Sequence, residues 1–166
     1  EKVSPDHVGT YSSSAFGQMQ SEGLGGMLQN RLNGDRVTTK NLALGLNTMS
    51  ADFINGYVTG SVGTTSTSTG ACASFLYNLR NAIQDIKSGR VRVAIVGSSE
   101  SPITPEIIEG FGNMSALANE EGLKKLDGIT EGQADHRNTS RPFGENCGFT
   151  IGEAAHFLVI MDDELA

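Results

Sequence analysis

Tryptophan is absent from this 166-residue chain, and cysteine occurs only at Cys72 and Cys147. Two thiols so far apart make no disulfide scaffold, and they exclude a paired-cysteine zinc or redox motif. The three histidines, His7, His136 and His156, are scattered and form no short ligand motif, so no metal site is expected. Positive charge is scarce: 12 Lys plus Arg against 19 Asp plus Glu leave a net charge of −7. That balance speaks against a nucleic-acid surface and against a polybasic membrane contact. Long hydrophobic runs are missing as well. The longest, Val93–Val96 and Phe157–Met161, are too short to cross a bilayer. The chain opens on Glu1 with no basic-then-apolar leader, so we expect a trimmed chain or an internal piece of a longer one. The unpaired cysteines point to a reducing, cytoplasmic compartment.

Glycine is abundant instead, at 21 residues, close to twice its ordinary share. With charged residues at only 19%, this composition reads as a compact fold with tight turns and close backbone contacts, not as a disordered chain. Val8–Ser14 reads as a short strand, followed by a Gly-rich stretch at Gly23–Gly26 and a turn at Asn33-Gly34-Asp35. Apolar positions from Leu42 to Tyr57 predict two short helices within Thr39–Tyr57, broken near Gly45–Thr48. The Thr/Ser-rich segment Gly63–Thr69 is β-prone. Phe75, Leu76, Leu79, Ile83 and Ile86 then trace one face of a helix over Ala73–Ser88, closed by Gly89. Val91–Val96 reads as a buried strand ending at Gly97-Ser98-Ser99. Strand, turn, helix, turn and strand make a parallel crossover in an α/β sheet. Pro102, Pro105, Gly110 and Gly112 are read as breakers, and Asn119–Asn138 as a polar surface excursion. Gly148–Ile160 is strand-like text that rejoins the sheet, and Asp162–Glu164 is an acidic tail expected to open a helix.

Cys72 lies in Thr69-Gly70-Ala71-Cys72-Ala73-Ser74, where the Thr/Ser strand gives way to the helix. A thiol at a helix N-terminus meets unpaired N–H groups and the positive end of the dipole, and both favour thiolate. Its small neighbours leave room for a substrate, and its own N–H can supply half of an oxyanion hole. The bland alternative is an inert, small apolar residue of the core. A second chemical reading treats Gly70-x-Cys72-x-Ser74 as a near match to the nucleophile elbow of an α/β hydrolase. That enzyme needs a downstream acid and histidine, for which Asp135, His136 and His156 are available, although Asp135 and His136 also read as a solvated loop.

Several blocks in register carry a resemblance. Thr69–Ser74, then Ile86-Lys87-Ser88-Gly89-Arg90, then Val93–Glu100 resemble the β-ketoacyl-[acyl carrier protein] synthases. Gly110-Phe111-Gly112 with Ala116-Leu117, and Arg141–Glu153, resemble later blocks of the same family. The resemblance implies a thiolase-like α/β fold of layered helices and sheets, with residues 1–166 forming most of its N-terminal half. It also implies a decarboxylating Claisen condensation. Cys72 would accept an acyl chain from the phosphopantetheine of an acyl carrier protein, and Phe111 would lie beside it and gate the acyl pocket. No separate cofactor or metal is implied. The strand Thr64–Thr69 would pair across a two-fold axis in a homodimer.

The departures from the family pattern are specific. The family's catalytic histidines and lysine, and the Gly-Phe-Gly segment that completes its oxyanion hole, lie beyond the blocks matched here. No condensation is therefore expected from these 166 residues alone. Cys147 stands where the family often has Asp, which makes it a poor nucleophile candidate. His156 stands where the family usually has Gly, and Gly63-Thr64 where it usually has Gly-Pro. A non-catalytic partner subunit that dimerises or sets chain length is a third reading, and the presence of Cys72 counts against it.

Overall fold

The computed structural model describes residues 2–20 and 26–166, so the expected Gly-rich stretch lies outside the described residues except for Gly26. The chain packs as two compact units. One runs up to Ser101 and takes in Ala154–Ala166; the other is Pro102–Glu153.

The larger unit is built on a four-stranded sheet. Its elements are β1 (Val8–Ser13), α1 (Met27–Leu32), α2 (Thr39–Leu44), α3 (Met49–Ile54), β2 (Thr65–Ser66), α4 (Ser74–Lys87), β3 (Val93–Glu100) and, after the smaller unit, β4 (Ala154–Met161). The strand order is β2-β1-β3-β4. β1 is parallel to both β2 and β3, in register Thr10 with Thr65 and Tyr11 with Val96. β4 runs antiparallel to β3, with Val96 opposite Leu158. The expected crossover is present, and β1 fills the gap between its two strands.

Helix α4 follows the predicted periodicity in part. Phe75, Leu79 and Ile86 of the expected stripe, joined by Ala82, meet Tyr11, Val91, Ala94, Val96 and Ile160 at the core, whereas Leu76 and Ile83, expected on the same face, are exposed. Each such large side chain taken fully from water contributes about 1.5–3 kcal/mol. On the opposite face α3 meets β1 through polar contacts: Ser12 and Ser50 hydroxyls lie 2.8 Å apart, and Thr10 donates to Asn55 at 2.6 Å. β4 is apolar on both faces yet largely exposed, Val159 at 59%. An apolar run of that kind is the pattern of a strand buried on both sides.

Sequence expectation and structure differ at several points. The β-prone segment Gly63–Thr69 contributes only Thr65–Ser66 to the ladder, because the residues after Ser66 turn away to hydrogen-bond with α4. β3 begins later than Val91 and continues to Glu100. Ala154, not Phe149, opens β4; Phe149 bridges to Leu117 instead. The acidic tail forms a turn and no helix, since Asp162 accepts the Leu165 N–H at 3.0 Å.

The smaller unit holds α5 (Pro105–Asn113) and α6 (Glu120–Asp127). Gly110 and Gly112 do not break α5, which starts on Pro105 at its first turn, a position where proline suits a helix. The supposed polar excursion contains α6. Asn119 caps it by accepting the Gly122 N–H at 2.8 Å, acids fill its first turn, lysines its last, and Gly128 closes it at φ +66°.

Candidate active site

The segment around Cys72 is a knot of short hydrogen bonds between the end of β1, the residues after β2 and the first turn of α4. Ala73 is the N-cap of α4, which puts Cys72 one residue ahead of the helix proper. The turn is closed by Ala73 N–H to Gly70 O (3.0 Å) and Ser74 N–H to Ala71 O (3.1 Å). Ala71 sits at φ +50°, a left-handed conformation that an alanine adopts only when its surroundings enforce it. Cys72 is the exposed tip of this turn, with a free thiol. Among the described residues its backbone N–H donates to no carbonyl.

The expected role of the small neighbours is only partly met. Gly70 is small because the ring of Tyr77, one turn into α4, occupies the space a Cβ would fill. The room lies above Ala71 and Cys72, both exposed, and not at Gly70.

Two side chains hold the knot: Ser74, read in the sequence only as one of the small neighbours that leave room for a substrate, and Asn78, which the sequence reading passed over. Ser74 is buried; its hydroxyl accepts the Gly70 N–H at 2.9 Å and donates to Ala71 O at 2.6 Å. Asn78 is fully buried; its Oδ1 accepts the Ser68 N–H at 3.0 Å. Its Nδ2 donates to Ser13 Oγ at 2.9 Å, Ser68 O at 3.0 Å and Ser74 O at 3.0 Å. Ser74, Asn78 and Ala82 are all buried and spaced by four. Polar residues on the core-facing stripe of an amphipathic helix are the signal that could have found them.

The larger unit also encloses a cavity of about 640 Å³, walled by Met49, Phe53, Phe157, Ser14 and Glu100 among others, with neither Cys72 nor Phe111 in its lining. Glu100 accepts from Ser14 Oγ at 3.0 Å and the Ala15 N–H at 2.5 Å, tying the ends of β1 and β3 together at this wall.

In the smaller unit Phe111, on α5, packs edge-on against Phe149 with ring centres 5.2 Å apart. Asp135 and His136 are turned to different partners. Asp135 accepts from Arg137 Nε at 2.9 Å, which holds its carboxyl below the usual range, while His136 Nε2 lies 2.9 Å from Glu120. Glu120 is itself lowered, first by the Ala134 N–H it accepts at 2.9 Å and then by Lys124. The Asp135–His136 pair of a hydrolase triad is therefore not formed. His156 stands exposed on β4 opposite Ser98. Cys147 is half-buried beside Gly122, whose missing side chain gives it room. No group of His, Cys, Asp and Glu among the described residues is arranged to hold a metal ion.

A family model described as the β-ketoacyl synthase N-terminal domain matches residues 1–166. The chain belongs to the β-ketoacyl synthase family. It is 54% identical over its whole length to the β-ketoacyl-[acyl-carrier-protein] synthase FabY of Pseudomonas aeruginosa, of which it covers 26%. It is 30% identical over 165 residues to the fatty acid synthase subunit alpha of Lachancea kluyveri, of which it covers 8%. The chain thus spans about a quarter or less of these relatives. Among solved structures it is similar to the noncanonical ketosynthase FabY of P. aeruginosa, with a TM-score of 0.89 over 99% of this chain and 25% of that one. At 15% identity and a TM-score of 0.65 it shares its fold with a chain of the AntDE:AntF complex. It matches there over 99% of its own length and 41% of that chain, a structure of an acyl-carrier protein in complex with its ketosynthase bound to the hexaketide. The expected thiolase-like α/β architecture is that of these ketosynthases. The strand–turn–helix around Cys72 lies within the matched segment. No helix among the described residues is long and apolar enough to cross a membrane.

Proposed function

We propose that Cys72 is the acyl-accepting nucleophile of a condensing acyltransferase of fatty-acid or polyketide type. The observation that carries this reading is an exposed thiol on a tightly bound strand-to-helix turn, in a chain 54% identical throughout to a β-ketoacyl-[acyl-carrier-protein] synthase. In the first half-reaction the Cys72 sulfur attacks the carbonyl carbon of an acyl thioester on phosphopantetheine. The new C–S bond replaces the old one, and the carrier thiol leaves with the proton. In the second, a malonyl-carrier thioester loses carbon dioxide, and the resulting carbanion attacks the Cys72 thioester. The Cys72 sulfur departs and a β-ketoacyl carrier is released. Covalent catalysis divides one hard step into two easier ones. The Cys72 N–H, which donates to no carbonyl among the described residues, is suited to hold the oxyanion in both tetrahedral intermediates.

The partner is an acyl carrier protein, which brings the phosphopantetheine; the enzyme needs no cofactor of its own. Phe111, packed edge-on against Phe149, is assigned to the acyl-binding wall. A homodimer through Thr64–Thr69 is supported by the position of β2 at one edge of the sheet, where an open ladder invites a second copy. The two free cysteines fit a cytoplasmic setting. Residues 1–166 form part of one catalytic domain and do not turn over alone.

The test is to incubate the full-length protein with an acyl-carrier thioester and locate the acyl group by peptide mass spectrometry. Acylation at Cys72, its loss in Cys72→Ala, and product formation on adding malonyl carrier are expected. Acyl transfer to Cys147, or release of free acid without condensation, would overturn the assignment.

A further inference from the structure

We propose that Ser74 and Asn78 are positioning residues for Cys72, holding the nucleophile's turn in a conformation it would not keep by itself. The inference rests on the reading of Cys72 as the nucleophile. The turn contains an alanine in the left-handed region, Ala71 at φ +50°. The Ser74 hydroxyl spans that residue: it takes the Gly70 N–H on one side and gives its proton to the Ala71 carbonyl on the other, at 2.9 and 2.6 Å. The hydroxyl's one proton goes to a carbonyl and one of its lone pairs takes an amide N–H, so Ser74 is engaged on both sides of Ala71 as a clasp.

Asn78 anchors the clasp to the sheet. The orientation of its amide is fixed, because Oδ1 accepts from a backbone N–H (Ser68) and Nδ2 faces two backbone carbonyls (Ser68 and Ser74). The remaining contact, to Ser13 Oγ, reaches the end of β1, and Ser13 in turn donates to Ser68 O at 3.2 Å. Asn81 closes the outer side through Ser68 Oγ at 2.9 Å. The segment leading into Cys72 is thus bound to two elements, β1 and α4, before the strained residue is reached. A buried amide with every group satisfied is rigid, and losing one partner would leave others unpaired in the interior. No apolar residue at position 78 could replace it.

The test follows two thiols in one molecule. In the full-length protein, iodoacetamide modification of Cys72 and of Cys147 is timed by peptide mass spectrometry, alongside the rate of Cys72 acylation. Ser74→Ala is expected to slow acylation about tenfold or more, since small misplacements of a nucleophile cost rate steeply. It is also expected to change the Cys72:Cys147 modification ratio while Cys147 keeps its own rate. Ser74→Thr retains the hydroxyl and is expected to restore both to within about twofold of the parent. An unchanged ratio in Ser74→Ala, or a Thr variant no better than the Ala variant, would overturn the proposal. Should Ser74→Ala fail to fold, hydrogen exchange in the unsubstituted protein decides: slow exchange of the Gly70 and Ser68 amides is expected, and free-loop rates at both would refute the clasp. If the parent is not acylated at Cys72, the nucleophile assignment fails alone, because the modification ratio and the exchange rates still test the positioning.

Discussion

The Tyr11 hydroxyl donates to the Asp85 carboxylate at 2.7 Å, joining the middle of the sheet to the last turns of α4. Tyr11 is fully buried, and Asp85 holds a second partner in Arg90 at 2.9 Å. Tyr11→Phe keeps the ring and removes the donor. We expect a loss of about 1.5–3 kcal/mol, as for a hydrogen bond to a charged acceptor, read from urea unfolding.

The same contact sets an alkaline limit. Burial, and then the Asp85 carboxylate, push the Tyr11 phenol above its ordinary value. A raised folded value means that the stabilisation is complete below about pH 10, where the free phenol titrates, and is lost as pH rises beyond it. Stability should therefore decline above about pH 10, and the decline should be shallower in Tyr11→Phe. Equal slopes in the two proteins would refute the assignment.

Acid acts through other pairs. Arg92 donates to Asp162 at 2.6 Å and holds its carboxyl below the usual range; Arg141, at 2.7 Å, does the same for Asp127. A lowered folded value gives stability that is present above about pH 4 and disappears as pH falls through the folded value. Acid unfolding followed by circular dichroism should be less steep in Asp162→Asn.

Gly97, in β3, lies under the Phe157 ring and the His156 carbonyl of β4. A methyl group there would overlap both, and the carbonyl cannot move without breaking the ladder. Gly97→Ala should cost about 1–3 kcal/mol, measured as a lower melting temperature. Trimming Phe157 to Ala in the same chain should recover only part of it.

Exposure separates the two thiols. Cys72 is exposed and Cys147 half-buried against α6. In the unsubstituted protein Cys72 should react with iodoacetamide severalfold faster, measured peptide by peptide. Faster modification of Cys147 would reverse the ordering.

Much of this fold could be read from residue spacing. The stripe of α4, the apolar run of β3 and the break between α2 and α3 each follow from one local period. The missed helices share a physical cause. In α5, Gly110 and Gly112 read as breakers in the sequence, yet both face open space and carry only the ordinary propensity cost of glycine. In α6 few apolar side chains mark a buried face, and its identity lies in its ends: Asn119, the early acids, the late lysines and Gly128. At the candidate site Cys72 was legible because its chemistry is rare. Ser74 and Asn78 were not, because their role depends on Ser13 and Ser68 arriving beside them from distant parts of the chain.

That dependence has a kinetic side. β1 has its ladder partners at Thr65–Ser66 and Val93–Ser98, with nearly all of the larger unit in between. During vectorial synthesis β1 must wait for its short pairing until Thr65–Ser66 has emerged, and for its longer ladder until β3 has left the ribosome. Loop closure on this scale makes assembly slow. The clasp around Cys72 draws its members from Ser13 to Asn78, so it needs β1 and α4 brought together but no residue of β3.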